Sequence, residues 1–258
     1  MYNNLFSLKN KTAIVTGGCG LIGREIVQGL SQFGADVFIA DQNEPEDKIL
    51  TEQRQNVKYV NLDITSVASV QDVLKRIAIE KGGKIDILVN CAYPRTKDWG
   101  AKFENINFES WKLNVDNHLG GYFLMCKETA MLMKEQGGGS IINVASIYGV
   151  VAPDFSIYDD TEMTMPAAYA PIKAGIIAMT KYIATYYGSY NIRSNAISPG
   201  GIYDNQETSF VEKYSRKTPL GRMGKPDEIV GGVIYLASDA SSFVTGQNIL
   251  VDGGWTAW

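Results

Sequence analysis

Short apolar runs alternate with amphipathic stretches from one end of the chain to the other, and this alternation limits the fold more than any single residue does. Thr12–Thr16, Asp36–Ala40, Val57–Asn61, Ile85–Val89, Ser140–Ala145, Ile192–Ile197 and Asn248–Val251 read as strands. They are short, apolar and mostly bounded by Gly, Asn or Asp, as strands buried on both faces are. Between them, Leu21–Phe33, Val67–Lys81, Trp111–Gln136, Ala168–Tyr187 and Asp227–Ser238 show helical spacing. The pattern predicts an α/β fold, a doubly wound parallel sheet of about seven strands with helices on both faces. No repeat, low-complexity tract or linker interrupts it, so one domain over residues 1–258 is expected.

Composition removes several classes of function. The net charge of −4 leaves no basic surplus to neutralise a phosphate backbone, so no nucleic-acid partner is expected. No apolar run approaches the length of a membrane span, and Met1–Asn10 lacks the apolar core of a signal peptide. Cys19, Cys91 and Cys126 are scattered and odd in number, which suits reduced thiols in the cytoplasm. With His118 the single histidine, no metal site is expected.

The first strand runs into Thr16-Gly17-Gly18-Cys19-Gly20-Leu21-Ile22-Gly23, and a helix follows. Glycines there let the backbone approach a pyrophosphate, and the helix start supplies N–H donors. Gly17, Gly20, Leu21, Ile22 and Gly23 are therefore candidate dinucleotide contacts. Asp41 ends the second strand, where a carboxylate accepts from ribose hydroxyls and repels a 2′-phosphate, so NAD is favoured over NADP. Asp63, beside Ile64, either receives the adenine amino group or caps the next helix. Asn90 and Ala92 close the fourth strand at the ligand-binding edge of such a sheet.

Tyr169 and Lys173 share one face of a helix start. An ammonium beside a phenol favours tyrosinate, and a phenol so tuned exchanges a proton with a carbinol or carbonyl oxygen. Pro171 between them is tolerated only in a first turn, so the helix should begin just before Tyr169. Ser146 follows the fifth strand, where it either hydrogen-bonds the reacting oxygen or caps a turn.

In this order and spacing the motifs resemble the short-chain dehydrogenase/reductase superfamily along essentially the whole chain. The resemblance implies a Rossmann fold with nicotinamide chemistry. Tyr169 would be the general acid/base and Ser146 the donor to the substrate oxygen. Lys173 would bind the nicotinamide ribose and tune Tyr169. Pro199 and Gly200 would line the nicotinamide, and Ile202 would hold its carboxamide. Such relatives assemble as homotetramers or homodimers, which places the apolar ending Trp255–Trp258 at a subunit interface. Cys91-Ala92-Tyr93-Pro94-Arg95, His118–Phe123, Tyr148–Pro153 and Pro199–Gln206 resemble the flagellin modification protein A subfamily more narrowly. That likeness implies a small polar substrate such as a sugar or sugar phosphate.

The departures are specific to this chain. Leu21 replaces a family glycine, and Tyr93 follows Ala92 where a glycine is usual. Asp204 stands where a hydroxyl residue often follows Pro-Gly. His118 occupies the position of the family's helix Asn, keeping its backbone role or joining the proton relay. The stretch between Ser146 and Tyr169 is long, and its insertion near 151–166 is expected to cover the substrate side. Tyr158 sits at the usual distance from Ser146, but Glu162 stands where its lysine should be, so Tyr158 is rejected as the base. Arg95, with Lys97, is a candidate phosphate contact. Tyr203 and Asp204 open the expected substrate lid near 203–226, which carries Lys213, Arg216, Lys217 and Arg222. The leading expectation is an NAD(P)-dependent oxidoreductase interconverting alcohol and ketone on a carbohydrate-like substrate. An epimerase or dehydratase that retains NAD, and a non-catalytic dinucleotide-binding protein, are the alternatives.

Overall fold

In the computed structural model, which describes residues 4–45 and 54–258, seven strands form where the apolar runs lie. They are β1 Thr12–Thr16, β2 Asp36–Asp41, β3 Val57–Asn61, β4 Ile87–Asn90, β5 Gly139–Val144, β6 Ile192–Pro199 and β7 Asn248–Val251. Met1–Asn3, the start of the polar N-terminal stretch, lie outside the described residues. The strands pair in parallel in the order β3-β2-β1-β4-β5-β6-β7. The direction of winding reverses between β1 and β4, where a crevice opens beyond the carboxyl ends of the strands. Register brings those ends level: Thr16 pairs with both Ala40 and Asn90, and Asn90 pairs with Asn143.

Burial on both faces explains why the strands read as continuous apolar runs. Ile14, Phe38, Leu88 and Ile141 point to one side, with Val70, Tyr122, Met125, Ile172 and Ile176 of the crossover helices. Val15, Ile39, Val89 and Ile142 point to the other, with Ile26, Leu30, Val233 and Leu236. The helices on the first side are α2 Val67–Glu80, α3 Phe108–Val115, α4 Gly121–Gln136 and α5 Tyr169–Tyr187. Those on the second are α1 Leu21–Gln32 and α7 Val230–Ala237. Among the described residues no helix is long and apolar enough to cross a membrane.

Two expectations need correction. The stretch Trp111–Gln136 is not one helix, because a π turn at Asp116–Gly120 separates α3 from α4. Such a turn inserts an extra residue into a run whose backbone stays helical on either side of it. Residues 203–226 contain a helix of their own, α6 Thr208–Lys217, which packs with the insertion as a third apolar cluster. Lys217 pairs there with Asp154, and Lys213 with Asp160 at 3.1 Å and with the Asp159 carbonyl. Lys217 holds the Asp154 carboxyl down at about 2. At the C-terminus, Trp255 is buried within its own chain, stacked 4.2 Å from Tyr214 of α6, while Trp258 is exposed. The burial of Trp255 therefore needs no partner subunit.

Trp255→Ala should cost about 3–5 kcal/mol of unfolding free energy, the range for emptying a buried aromatic site. The loss should be the same at all protein concentrations in chemical denaturation. A loss that grows on dilution would place Trp255 at an interface instead.

Candidate active site

The glycine turn has the shape that close backbone approach requires. Gly17 adopts φ +66°, and a Cβ there would lie 2.5 Å from the Ala92 Cα. A Cβ on Gly23 would run into the Gly17 carbonyl. Helix α1 opens at Gly20 with no side-chain cap, so its first-turn N–H donors are left to the crevice. Asp41 closes this end, its two carboxylate oxygens accepting from the Cys19 N–H at 3.1 Å and the Asn43 N–H at 3.2 Å. Leu62, Asp63 and Ile64 line the crevice beside it. Asp63 accepts from the Thr65 N–H and hydroxyl, while Ser66 caps α2, so Asp63 is not the helix cap. An uncapped helix start, a cradle that a Cβ would fill, and a carboxylate on the second strand together fit a dinucleotide. Gly17, Gly20, Leu21, Ile22, Gly23, Asp41, Ala92, Pro199, Gly200 and Ile202 all line one cleft of about 1060 Å³.

The second half of that cleft is built on α5. The helix begins at Tyr169, so Pro171 falls in its first turn and Lys173 lies one turn further in. Lys173 is 4% exposed, and its ammonium donates to the Val144 carbonyl at 2.8 Å, the last residue of β5. Burial lowers the Lys173 ammonium to about 8. His118, carried inward by the π turn, places Nε2 3.5 Å from Lys173 Nζ. An ammonium can only donate, so Nε2 is the acceptor and the ring proton sits on Nδ1. Burial, and then the positive charge of Lys173, hold His118 well below its ordinary value, so the ring is neutral. Its Nδ1 is buried with no partner.

Ser146 caps a turn, one of the two readings the sequence left open. Its hydroxyl accepts from the Tyr148 N–H at 3.2 Å, capping the turn Ile147–Gly149, and it also faces Tyr169. The tuning of Tyr169 differs from expectation. Its phenol stands above its ordinary value, because burial outweighs the Ser146 hydroxyl that pulls it down. The ammonium of Lys173 is aimed at Val144 and lies 5.6 Å from the Tyr169 ring centroid. Burial pushes the thiols of Cys19, Cys91 and Cys126 up to about 12, 11 and 12, so none is a nucleophile at neutral pH.

Several predicted residues lie elsewhere. Asn90 is fully buried beneath the cleft and donates to Asn143 at 2.9 Å, tying β4 to β5. Tyr203 does not line the cleft, whereas Asp204 and Arg95 do. Lys213 and Lys217 are taken by Asp160 and Asp154, Arg216 by Glu212, and Arg222 by Glu228 at 2.6 Å. Sequence reasoning missed Arg24, beside the cofactor end and paired with Glu25, and Trp99 beside Tyr169. Trp99 lies in an irregular loop after β4, where no periodicity marks which residues face inward.

Comparison with known proteins agrees with this geometry. A family model described as enoyl-(acyl carrier protein) reductase matches residues 20–256. The post-translational flagellin modification protein A of Campylobacter coli is 38% identical over 254 residues, covering 96% of this chain and 99% of that one. An L-rhamnose 1-dehydrogenase (NAD(P)(+)) of Azotobacter vinelandii is 33% identical, with coverage of 96% and 97%. A short-chain dehydrogenase of Leptospira borgpetersenii, solved with bound NAD+, superposes with a TM-score of 0.88 at 40% identity, covering 96% of this chain and 93% of that one.

Two measurements check the electrostatics without a substrate. The signals of the one imidazole should show no titration between about pH 5.5 and 8 by NMR, since an ordinary histidine titrates near 6.5. Lys173→Met should raise stability at neutral pH by on the order of 1–3 kcal/mol, as replacing a buried charge often does. The folded value near 8 lies below the ordinary 10.5, so the unfolded chain binds the extra proton between them. The wild-type penalty is therefore full below pH 8 and fades as pH rises towards 10.5, and the gap between the two proteins should narrow over that window.

Proposed function

The chain belongs to the short-chain dehydrogenase/reductase family, and from that membership and the cleft we propose an NAD-preferring dehydrogenase that interconverts an alcohol and a ketone on a polar, carbohydrate-like substrate. The observation that carries the reading is the convergence of the Ser146 hydroxyl, the Tyr169 phenol and the Lys173 ammonium in one cleft with the glycine cradle. The dinucleotide, held by Gly17, Gly20–Gly23, Asp41, Pro199, Gly200 and Ile202, supplies the hydride acceptor or donor. Ser146 holds the substrate oxygen; in the reductive direction the Tyr169 phenol donates the proton to the forming carbinol, and in the oxidative direction the phenolate so formed takes it back. Lys173 lends positive charge to the phenolate that Tyr169 passes through and is the candidate contact for the nicotinamide ribose. His118 acts as a positioning residue, its Nε2 accepting from Lys173 and keeping the ammonium in place.

The preference for NAD rests on Asp41, whose carboxylate repels a 2′-phosphate. Asp204, Gln206 and Thr164 in the substrate half support a hydroxyl-rich substrate. A role in making surface or flagellar sugars rests on the likeness to the Campylobacter protein. Residues 151–166 and 203–226 form the cover of the substrate side. Exposed Phe123 on α4 and Tyr182 and Tyr186 on α5 support self-association through those helices.

The test is NADH formation from a panel of sugars and polyols, with NADP as the competing cofactor. Tyr169→Phe should lower turnover by about 10²–10⁴-fold, the usual worth of a positioned acid/base, while NAD still binds. Asp41→Ala should move the kcat/KM ratio of the two cofactors at least about tenfold towards NADP. Full turnover by Tyr169→Phe would contradict the assignment. Product without net NADH change would favour an epimerase or dehydratase.

A further inference from the structure

We propose that the substrate is a cyclic polyol carrying a carboxylate or phosphate, its ring laid on a Tyr93–Trp99 platform and its charge held by Arg95. The inference rests on the dehydrogenase reading of the cleft and deepens it.

The platform is built before any ligand arrives. Trp99 Nε1–H donates to the Tyr93 hydroxyl at 2.8 Å, and the two rings meet at 88° with centroids 5.7 Å apart. The loop that carries them is pinned to α3. Asn114, 4% exposed, accepts from the Thr96 N–H at 3.0 Å and donates to the Thr96 hydroxyl at 2.8 Å. The Ser110 hydroxyl donates to Asp98 at 2.5 Å. Both platform rings stand edge-on to Tyr169, at 5.8 Å for Tyr93 and 6.3 Å for Trp99. A saturated ring resting its C–H face on them would bring a carbinol carbon beside the Tyr169 phenol. The Tyr93 hydroxyl accepts from Trp99 and so keeps its own proton to donate to a substrate hydroxyl. In the same cleft the Tyr148 and Tyr158 hydroxyls face one another. Tyr148 Oη is buried beside the Tyr158 hydroxyl, a polar pair in the wall of the substrate half.

The sign of the charge follows from which cations are already spent. On the cover, Lys213, Lys217 and Arg222 are paired with carboxylates. Arg95 lines the substrate half of the cleft with its guanidinium 5.7 Å over the Tyr93 ring, and it forms no ion pair with any described carboxylate. Asp98, close in sequence, is turned to Ser110 and Thr96, and Asp204 is not within ion-pair distance. A guanidinium held against a ring face presents a planar fork that matches a carboxylate or phosphate bidentately.

Calorimetric titration in the presence of saturating NADH tests this with D-glucose, D-glucuronate and D-glucose 6-phosphate, and with D-galactose, D-galacturonate and D-galactose 6-phosphate. In at least one trio an acid or a phosphate should bind about tenfold more tightly than its neutral parent, and which of the two does so identifies the anion. Arg95→Met should erase that advantage while NADH still binds, and Arg95→Lys should restore part of it. Trp99→Leu should weaken the charged and neutral sugars alike. Neutral sugars binding as well as their anions, anion binding indifferent to Arg95→Met, or anions all binding more weakly than about 10 mM would overturn the proposal. Turnover of neutral sugars without any anion preference would overturn it while leaving the dehydrogenase reading intact. Arg95-dependent anion binding without turnover of any alcohol would uphold the site and remove the dehydrogenase reading.

Discussion

A positive charge almost without solvent is the constraint around which this cleft is organised. Lys173 lies beneath Tyr169, and a buried ammonium persists only where fixed dipoles and acceptors replace water. Two acceptors do so. One is the Val144 carbonyl at the end of β5, available because the strand stops there. The other is His118 Nε2, which reaches the ammonium from the π turn between α3 and α4. The start of α5 is set by the same requirement, since Tyr169 must open the helix for Lys173 to lie one turn inside it. The neutral state of His118 follows as well: a second cation beside Lys173 would be repelled, and burial already disfavours it.

The parallel sheet supplies the rest by register. Level carboxyl ends bring the glycine turn, Asp41, Ala92, Ser146 and Pro199 along one edge, so residues far apart in sequence line one cleft. Its two ends differ in kind. One end is built on the glycine turn and the uncapped start of α1, with Asp41 and Asp63 beside them. The other end is aromatic, and beside it α6 packs in an apolar cluster fastened by Lys–Asp pairs to the insertion before α5. Tyr214 joins that cluster to the loop after β6, accepting from the Gly201 N–H while it stacks on Trp255.

Much of this was legible in the sequence, for reasons that are local. Buried parallel strands appear as apolar runs, Gly17 and Gly23 sit where side chains would clash, and Pro171 dates the start of α5. The ambiguities lay where tertiary contact decides. Asn90 is at the ligand edge by position, yet its amide is spent on Asn143 below the cleft. Lys213 and Lys217 are free cations on paper, and only the folded insertion shows them paired. Lowering of the Tyr169 phenol by Lys173 follows from spacing, but burial and the direction of the ammonium reverse it. Trp99 carried no signal at all, because its role depends on one hydrogen bond across an irregular loop.

The most direct test of this arrangement is the titration of the Lys173 ammonium itself. It can be followed by NMR in protein labelled with ¹⁵N at the lysine Nζ and assigned by comparison with Lys173→Met. A midpoint near 8, far from the ordinary 10.5, is the predicted result. A midpoint near 10.5 would mean a solvated lysine. The cleft would then lack the buried charge on which Tyr169, His118 and the end of β5 are here said to converge.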